Sequence, residues 1–372
     1  MSRFHDHGGN IFAAARMLGT DAGQIADFSA SINPLGMSRG AREAIIAALD
    51  SLIHYPDQSQ QALRQALASH HGVDAACIAA ANGSTELIHR LPSLLKGSRA
   101  LIVAPAFSEY ARALEQQNWE IRYFILAAAD GFSLDTGTLA SELSHGVDAL
   151  FLCNPGNPTG TLYPPELVAE VLEICRAAGT FLVLDEAFMD FCEESSAKQA
   201  VIAGGNGIVL RSMTKFFGIP GLRLGYALAE TALIGRIDAR GGPWSVNTLA
   251  SAAGVASLRD SAYRAATIEY VARERRQLSA SLSAFPEMTV YPSAANYLLV
   301  NLADNAMDAP VVREHLAHRG VLVRDCSNFV GLSSRFFRVA VRTAEENRRL
   351  LRGLEDILGV RRPQNCPHDP ET

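Results

Sequence analysis

The sequence predicts an α/β fold with a mostly parallel sheet, and two observations carry that prediction. The first is a series of short apolar segments without polar alternation, which is typical of strands buried on both faces of a sheet. They occupy residues 99–104, 148–153, 180–186 and 207–212. The second is the helix-like sequence between them, at 108–117 and at 164–178, where prolines suit a first helical turn. Alternating strands and helices favour parallel strands joined by right-handed crossovers.

The length and a change of pattern predict two domains. A chain of 372 residues with 48% hydrophobic content exceeds the usual size of a single core. After about residue 260, a charged helical stretch at 263–284 precedes short apolar segments that indicate a smaller α+β domain. These segments are 288–292, 296–302, 320–326 and 336–341. We expect a large domain over 45–260, a small domain over 1–44 and 261–360 joined to it through a helix at 39–52, and a disordered polar tail over 361–372.

Composition limits the partners and the compartment. The net charge of −6, from 33 basic and 39 acidic residues, predicts no general attraction to nucleic acid or to a membrane, so anionic ligands must meet locally placed cations. The six scattered cysteines form no CxxC pair, and His5 and His7 have no accompanying ligand pattern, so we expect reduced thiols and no metal site. No apolar run approaches the ~18 residues that span a bilayer. The start lacks a leader pattern, so a cytoplasmic location is expected.

Four polar segments follow or interrupt the predicted strands, where α/β sheets bind ligands. They are AANGSTE (80–86), NPGNPTG (154–160), VLDEAF (183–188) and SMTKFFGIPGLRLGY (212–226). Lys215 lies in the last, and a lysine in a dry, cation-rich pocket readily becomes a neutral nucleophile, although most lysines are simply solvated. Asp185 ends an apolar strand, where a carboxylate needs a cationic partner; a helix cap or an ordinary salt bridge is the alternative.

In order and spacing these segments resemble the PLP-dependent fold type I enzymes, the aspartate aminotransferase superfamily, up to about residue 360. The opening HGGN (7–10) and DFSASINPLG (27–36) are most similar to the threonine-phosphate decarboxylases, beside the histidinol-phosphate aminotransferases. The resemblance implies pyridoxal 5'-phosphate (PLP) as cofactor. It also implies a large domain built on a mostly parallel seven-stranded sheet, a smaller α+β domain and a homodimer with shared active sites.

The resemblance assigns cofactor contacts to individual positions. It implies that Lys215 holds PLP as a Schiff base, and that Asp185 keeps the pyridine nitrogen protonated so that the ring acts as an electron sink. Asn157 would bind the ring oxygen and Phe107 would stack on the ring, although an isolated Phe is more often part of a core. The implied phosphate ligands are Gly83, Ser84, Thr85, Ser212, Arg223 and, from the neighbouring subunit, Tyr55. The NGSTE turn could equally be a plain helix cap, and Tyr55 an ordinary surface residue.

Substrate contacts are implied in the same way. Arg338 matches an arginine that grips a substrate anion, and Arg324 matches one used for a substrate phosphate. Exposed strand-edge arginines are the alternative, and Arg342 lies close enough to Arg338 to confuse the assignment. The remaining implied substrate contacts are His7, Gly8, Gly9, Asn33 and Asn157.

The function implied is decarboxylation of L-threonine O-3-phosphate to (R)-1-amino-2-propanol O-2-phosphate in cobalamin biosynthesis. The alternative is histidinol-phosphate aminotransferase, which shares every cofactor residue. A non-enzymatic reading as the effector-sensing part of a transcription regulator conflicts with the presence of Lys215, with motifs that start at residue 7 and with the lack of a basic patch. The expected partner is therefore a small phosphorylated amino acid.

Overall fold

A seven-stranded sheet forms the centre of the protein. The computed structural model describes residues 8–359, and all structural statements refer to that range. The strands of this sheet are β2 (Ile78–Ala81), β3 (Arg99–Ala104), β4 (Glu120–Ile125), β5 (Ala149–Cys153), β6 (Phe181–Asp185), β7 (Gly207–Ser212) and β8 (Gly225–Ala229). They lie in the order β2-β8-β7-β6-β5-β3-β4.

The sheet is mostly parallel, as the sequence predicts. Strands β4, β3, β5, β6 and β7 run parallel, while β8 is antiparallel to both of its neighbours. Every residue of β5 and β7 is buried, which is why their sequences show no polar alternation. The carboxyl ends of β3, β5, β6 and β7 therefore share one edge, and the residues that follow these strands are brought together there.

A second, antiparallel sheet has the order β12-β13-β10-β9. Its strands are β9 (Met288–Val290), β10 (Tyr297–Leu302), β12 (Arg324–Asp325) and β13 (Phe336–Ala340). A parallel pair joins β1 (Ala26–Asp27) to β11 (Val321–Leu322). The single strand predicted over 320–326 is thus two strands in two sheets, because the chain leaves β1 and turns to β13 around the buried Val323.

Fourteen α-helices lie among residues 8–359. They are α1 (Ile11–Leu18), α2 (Arg39–Ala48), α3 (Gln61–His71), α4 (Ser84–Leu94), α5 (Glu109–Glu115), α6 (Thr136–Leu143), α7 (Pro165–Ala178), α8 (Lys198–Gly204), α9 (Met213–Phe216), α10 (Thr231–Arg240), α11 (Thr248–Arg259), α12 (Ser261–Ser283), α13 (Ala309–Ala317) and α14 (Ala344–Leu358). Helix α7 shows the local rules well, since Pro165 occupies its first turn and Gly179 ends it with a φ of 72°. None of these helices is long and apolar enough to cross a bilayer.

Three large apolar cores hold the layers together, and a fourth, small one surrounds Ala14, Ala15 and Ile25. One face of the large sheet packs into a core that continues to β10 and β13, through side chains such as Tyr297 and Phe336. The opposite face packs against α4, α5 and α10. The small sheet has its own core with α12, α13 and α14. Because the first core is shared between the two sheets, the small sheet lies firmly beside the carboxyl edge of the large one.

The predicted helices are confirmed with small shifts at their ends. The stretch predicted at 39–52 is α2 followed by a 3-10 turn over Leu49–Ile53, and α2 packs against α11. The proposed domain limits at residues 44/45 and 260/261 remain a prediction. His7 and the predicted disordered tail over 361–372 lie outside the described residues.

Candidate active site

A cavity of about 360 Å³ lies at the carboxyl edge of the large sheet. Its floor comes from the ends of neighbouring strands: Cys153 from β5, Asp185 from β6 and Ser212 from β7. Arg324 and Arg338 enter from the small sheet. The cavity therefore lies between the two sheets, where many α/β enzymes bind ligands.

The described lining is strongly cationic. Lys215, Arg223, Arg324 and Arg338 face it, whereas Asp185 is the one carboxylate among the described lining residues. In a chain whose net charge is −6, such a local excess of positive charge predicts ligands that carry more than one anionic group. Within residues 8–359, no cluster of His, Cys, Asp and Glu side chains is arranged to hold a metal ion.

Lys215 lies in α9, the short helix that follows β7 directly. Its carbonyl accepts a hydrogen bond from the Asn33 N–H at 3.0 Å, which ties α9 to the loop after β1. Burial, followed by the charges of Arg338 and Arg223, lowers the pKa of the amine to about 8, against a smaller opposing effect of Asp185. No described residue makes a hydrogen bond or ion pair with this amine. Roughly a tenth of the amine is thus neutral at pH 7, far more than for an ordinary lysine.

Asp185 is the last residue of β6 and is only 4% exposed. Its Oδ2 accepts a hydrogen bond from the Tyr110 hydroxyl at 2.5 Å, and its Oδ1 accepts one from the Ala187 N–H at 3.0 Å. Burial raises the pKa of the carboxyl, while these two hydrogen bonds act in the opposite direction. The carboxylate is oriented by two donors and still lines the cavity.

Three cofactor positions predicted from NGSTE form the entrance to α4. Gly83 has a φ of 80°, a conformation that favours glycine, and the helix begins at Ser84. A methyl group at Gly83 would lie 2.7 Å from Nη2 of Arg223, so the guanidinium packs directly over this turn. Ser84 and Thr85 line the cavity, and a helix N-terminus beside a guanidinium is suited to a phosphate.

Ser212 lines the same cavity as Ser84, Thr85 and Arg223. Its Oγ is 2.8 Å from Oγ1 of Thr214, and both residues are buried in the cavity wall. Their hydroxyls add donors next to the α4 N-terminus and Arg223. Sequence reasoning missed Thr214, although it lies in the SMTK segment that pointed to Lys215.

The two predicted substrate arginines are neighbours across the small sheet. Arg324 on β12 pairs in register with Arg338 on β13, and each side chain is buried to 7% exposure. Nη1 of Arg338 donates to Oδ1 of Asn157, and its Nη2 donates to the carbonyl of Ser29 at 3.2 Å. Its buried Nε has no protein acceptor. Two buried guanidinium groups at one cavity indicate a ligand with two anionic groups.

Aromatic rings support both arginines. The guanidinium of Arg338 lies 4.8 Å from the centre of the Tyr297 ring, and that of Arg324 lies 5.1 Å from the Phe329 ring. Nη2 of Arg324 also donates to Oδ1 of Asn328 at 2.9 Å. The stacking orients the guanidinium planes before a ligand arrives.

The other predicted cavity residues take the following places. Asn157 and Phe107 line the cavity, and Phe107 contacts Tyr110 edge to face with ring centres 5.9 Å apart. Gly8 also lines it and packs so closely on Ser29 that a methyl group would clash with the backbone. Gly9 donates its N–H to Oγ of Ser29 at 2.8 Å, but lines an adjoining cavity instead.

Two predicted residues lie apart from the cavity lining. Asn33 is buried, and its amide donates to the carbonyl of Phe216 at 2.7 Å and contacts the hydroxyls of Tyr263 and Thr267. It therefore braces the backbone of α9. Tyr55 is 78% exposed and stacks on Trp244 with ring centres 4.3 Å apart, on the outer surface of the chain. His7 lies outside the described residues.

Several lining residues were absent from the predicted site. Ser31 contributes a buried hydroxyl without a protein partner, and Cys153 a buried thiol at the end of β5. Both follow from signals in the sequence, since Ser31 lies within DFSASINPLG and Cys153 directly precedes NPGNPTG. Phe329 was not predicted because it reaches the cavity only through the pairing of β12 with β13.

Comparison with known proteins places these features in a family. The model of the family described as aminotransferase class I and II matches residues 24–354. A threonine-phosphate decarboxylase from Salmonella typhimurium is 44% identical over 95% of this chain and 96% of its own length. The adenosylcobalamin biosynthesis bifunctional protein CobDQ from Leptospira interrogans is 32% identical over 95% of this chain and 41% of its own.

A solved structure agrees with these relatives. The crystal structure of L-threonine-O-3-phosphate decarboxylase from Porphyromonas gingivalis superimposes with a TM-score of 0.79 and 28% identity, covering 90% of this chain and 99% of that one. The prediction of a fold type I enzyme is thereby confirmed, and so is the predicted cofactor class. The chain therefore belongs to the class I and II aminotransferase family of PLP-dependent enzymes.

Proposed function

We propose that this enzyme decarboxylates L-threonine O-3-phosphate to (R)-1-amino-2-propanol O-2-phosphate, as a step of cobalamin biosynthesis. The observation that carries the proposal is the pairing of Arg324 with Arg338 at the cavity that contains Lys215. The substrate has a carboxylate and a phosphate, and the two buried guanidinium groups supply one fork for each. The 44% identical decarboxylase over nearly the whole chain supports the same activity.

The residues present fit PLP. The cofactor's phosphate would bind at Gly83, Ser84, Thr85, Ser212 and Arg223, where hydroxyls, a helix N-terminus and a guanidinium meet. Lys215 would hold the cofactor covalently through its unpaired amine, which is neutral in part at physiological pH. When bound, PLP supplies an electron sink that stabilises negative charge developing at the substrate Cα.

The remaining cofactor contacts concern the ring. Asp185 would face the ring nitrogen with an ionised carboxylate that Tyr110 and Ala187 already orient. Asn157 would bind the ring oxygen, and its link to Arg338 couples the cofactor side of the cavity to the substrate side. Phe107 would cover one face of the ring.

Orientation of the substrate decides the reaction. Among the bonds to Cα, the one perpendicular to the cofactor ring is the one that breaks, so the arginines determine the outcome by fixing the two anionic ends. We propose that Arg338 holds the carboxylate and Arg324 the phosphate, and that Gly8 and His7 are further substrate contacts. The bond between Cα and the carboxylate then breaks, CO2 leaves, and a proton takes its place on Cα. The Lys215 amine would be available to deliver that proton once the substrate amine has displaced it from the cofactor.

We also propose a homodimer in which Tyr55 reaches the cofactor phosphate of the partner subunit. Tyr55 stacks on Trp244, and both rings are exposed. Leu49, Leu52 and Ile53, close to Tyr55 in the sequence, are exposed as well, and exposed apolar side chains of this kind commonly mark an interface. Analytical ultracentrifugation is expected to show a dimer, and Tyr55→Ala is expected to weaken PLP binding.

One pair of assays tests the proposed reaction against its alternative. Purified protein loaded with PLP is expected to release CO2 from L-threonine O-3-phosphate, as measured by a coupled or radiometric assay. Histidinol-phosphate aminotransferase activity is tested by glutamate-dependent amination of imidazole acetol phosphate. Activity in the second assay alone would overturn the decarboxylase proposal and favour the aminotransferase.

A further inference from the structure

The carboxylate of Asp185 has an unusual partner in the interior of the protein. The hydroxyl of Tyr110, on α5, donates to its Oδ2 at 2.5 Å, and both side chains are buried. Tyr110 is 1% exposed and does not line the cavity, so it reaches the reaction only through Asp185. The sequence segment PAFSEY had pointed only to Phe107.

Packing holds the phenol in place. Its ring lies between Phe107, with centres 5.9 Å apart, and Phe151 of β5, with centres 5.6 Å apart. Phe107 is the residue proposed to cover the cofactor ring, so Tyr110 contacts both of the groups expected to touch that ring. A side chain enclosed in this way has little freedom to withdraw its hydrogen bond.

In the hydrogen bond between Tyr110 and Asp185, the phenol is the protonated group. Burial, followed by the negative charge of Asp185, raises the pKa of Tyr110 well above its ordinary value. The phenol consequently stays protonated and donates, while the carboxyl accepts. Since burial raises the pKa of Asp185, the opposing effect of this donor helps the carboxylate to remain ionised.

We propose that Tyr110 is a positioning residue that keeps Asp185 ionised and aimed at the cavity, so that the proton it shares with the cofactor stays on the ring nitrogen. The inference rests on the proposed binding of PLP with its ring nitrogen at Asp185. It does not depend on which substrate the enzyme uses. Losing the phenol hydrogen bond makes the carboxylate more basic and draws that proton from the ring.

The test compares wild-type protein with Tyr110→Phe, each loaded with PLP that carries ¹⁵N in its ring. The ¹⁵N chemical shift distinguishes a protonated from a neutral ring nitrogen without any turnover. We expect a protonated nitrogen in the wild type and a signal moved toward the neutral position in the variant. In parallel, kcat should fall about 10- to 100-fold with KM changed by less than about threefold.

Tyr163→Phe is the matched control. Tyr163 is also buried, and its hydroxyl donates to the carbonyl of Phe132 at 2.9 Å, away from Asp185. The control should lose a comparable hydrogen bond while its ¹⁵N signal stays at the wild-type position. If Tyr110→Phe keeps the wild-type signal as well, the proposed role of Tyr110 is wrong.

A second variant covers the case in which Tyr110→Phe does not fold. Tyr110→His retains an N–H donor, so we expect the ring nitrogen of PLP to remain protonated in this variant. A ¹⁵N signal at the neutral position would also overturn the inference. Absence of CO2 release from threonine phosphate, with the ¹⁵N shift moved as expected, would instead refute only the proposed substrate.

Discussion

Two charged clusters flank the ends of β6 and β7, and they differ in how their charges are paired. The active-site cluster consists of Asp185, Lys215, Arg223, Arg324 and Arg338. The Arg211 cluster consists of His71, Glu186, Asp190, Glu193, Lys198 and Arg211. Glu186 directly follows Asp185, the last residue of β6, and Arg211 precedes Ser212 in β7, so residues that are adjacent in the chain point to different surroundings.

The Arg211 cluster is closed in the sense that carboxylates of the protein balance its buried cation. Arg211 is fully buried, and its guanidinium contacts Glu186 at 3.0 Å, Asp190 at 3.3 Å and Glu193. Lys198 adds a second cation, 2.7 Å from Glu193. Three carboxylates thus surround the buried guanidinium, and removing it would leave their charges uncompensated.

The active-site cluster is open by contrast. Its cations outnumber its single carboxylate, and the Lys215 amine has no partner among the described residues. The Nε atoms of Arg338 and Arg211 both lack an acceptor, so this atom does not separate the two clusters. Charges left without protein partners are costly unless a ligand completes them. The two clusters therefore differ in charge balance: cations exceed carboxylates at the ligand site, whereas three carboxylates meet Arg211 in the other cluster.

The largest effect is expected at Lys215. Lys215→Ala should fold but lose covalently bound PLP, with kcat reduced more than about 1,000-fold, because no other amine lies in the described lining. Visible absorbance of the purified protein and turnover measure this. Lys96→Ala, at an exposed position, is the matched control and should retain both. Normal absorbance and activity in Lys215→Ala would refute the assignment.

The next effect tests the closed cluster. Arg211→Met leaves Glu186, Asp190 and Glu193 without their shared cation, and should lower the free energy of unfolding by about 3–5 kcal/mol in urea titrations. Arg176→Met removes an exposed pair with Glu173 and should cost less than about 1 kcal/mol. Similar losses of unfolding free energy in the two variants would show that the buried network contributes no more to stability than an exposed ion pair.

A smaller effect is expected at the open cluster. Arg324→Ala should lower kcat/KM for threonine phosphate by about 2–3 kcal/mol, or roughly 30- to 150-fold, chiefly through KM, while PLP absorbance is unchanged. Its unfolding free energy should fall by less than that of Arg211→Met. An unchanged KM would place the substrate phosphate elsewhere.

The smallest effect concerns pH. Burial, against the nearby Glu193, lowers the pKa of His71 to about 4, so the folded state keeps this ring neutral while the unfolded chain takes up a proton below about 6.5. The contribution of His71 to the free energy of unfolding is fully present above pH 6.5. It declines toward pH 4 by at most about 1.4 kcal/mol per pH unit. Asp190, with its pKa raised to about 6 mainly by burial, acts in the opposite sense.

The measurement is therefore a difference between two proteins. Unfolding free energies of wild type and His71→Gln are measured from pH 7 to pH 4. The wild type should lose more stability over this range than the variant, because the variant lacks the titrating ring. The groups that face His71 are His70, Glu193, Lys198, Arg211 and Tyr226. Because His71 itself acts on the pKa of His70 and of Glu193, the difference between the profiles reports His71 together with these two neighbours. Parallel profiles would mean that His71 is protonated in the folded protein.

Much of the fold was predictable because its signals are local. The strand prediction at 99–104 matches β3 and the one at 207–212 matches β7 in full, since unbroken apolar runs report burial on both faces. Asp185 was singled out for a similar reason, because it ends such a run, whereas Lys215 was identified from its SMTK segment and the family resemblance. Segment 320–326 was misread as one strand because its two partners, β1 and β13, are distant in sequence.

The sequence alone determined which chemical groups this protein carries and where its strands end, because burial and turn chemistry are properties of neighbouring residues. Only the tertiary structure decided which groups meet: Arg324 beside Arg338, and Tyr110 on Asp185. Those contacts depend on strand order and register, which join residues far apart in the chain, and no local pattern reports them.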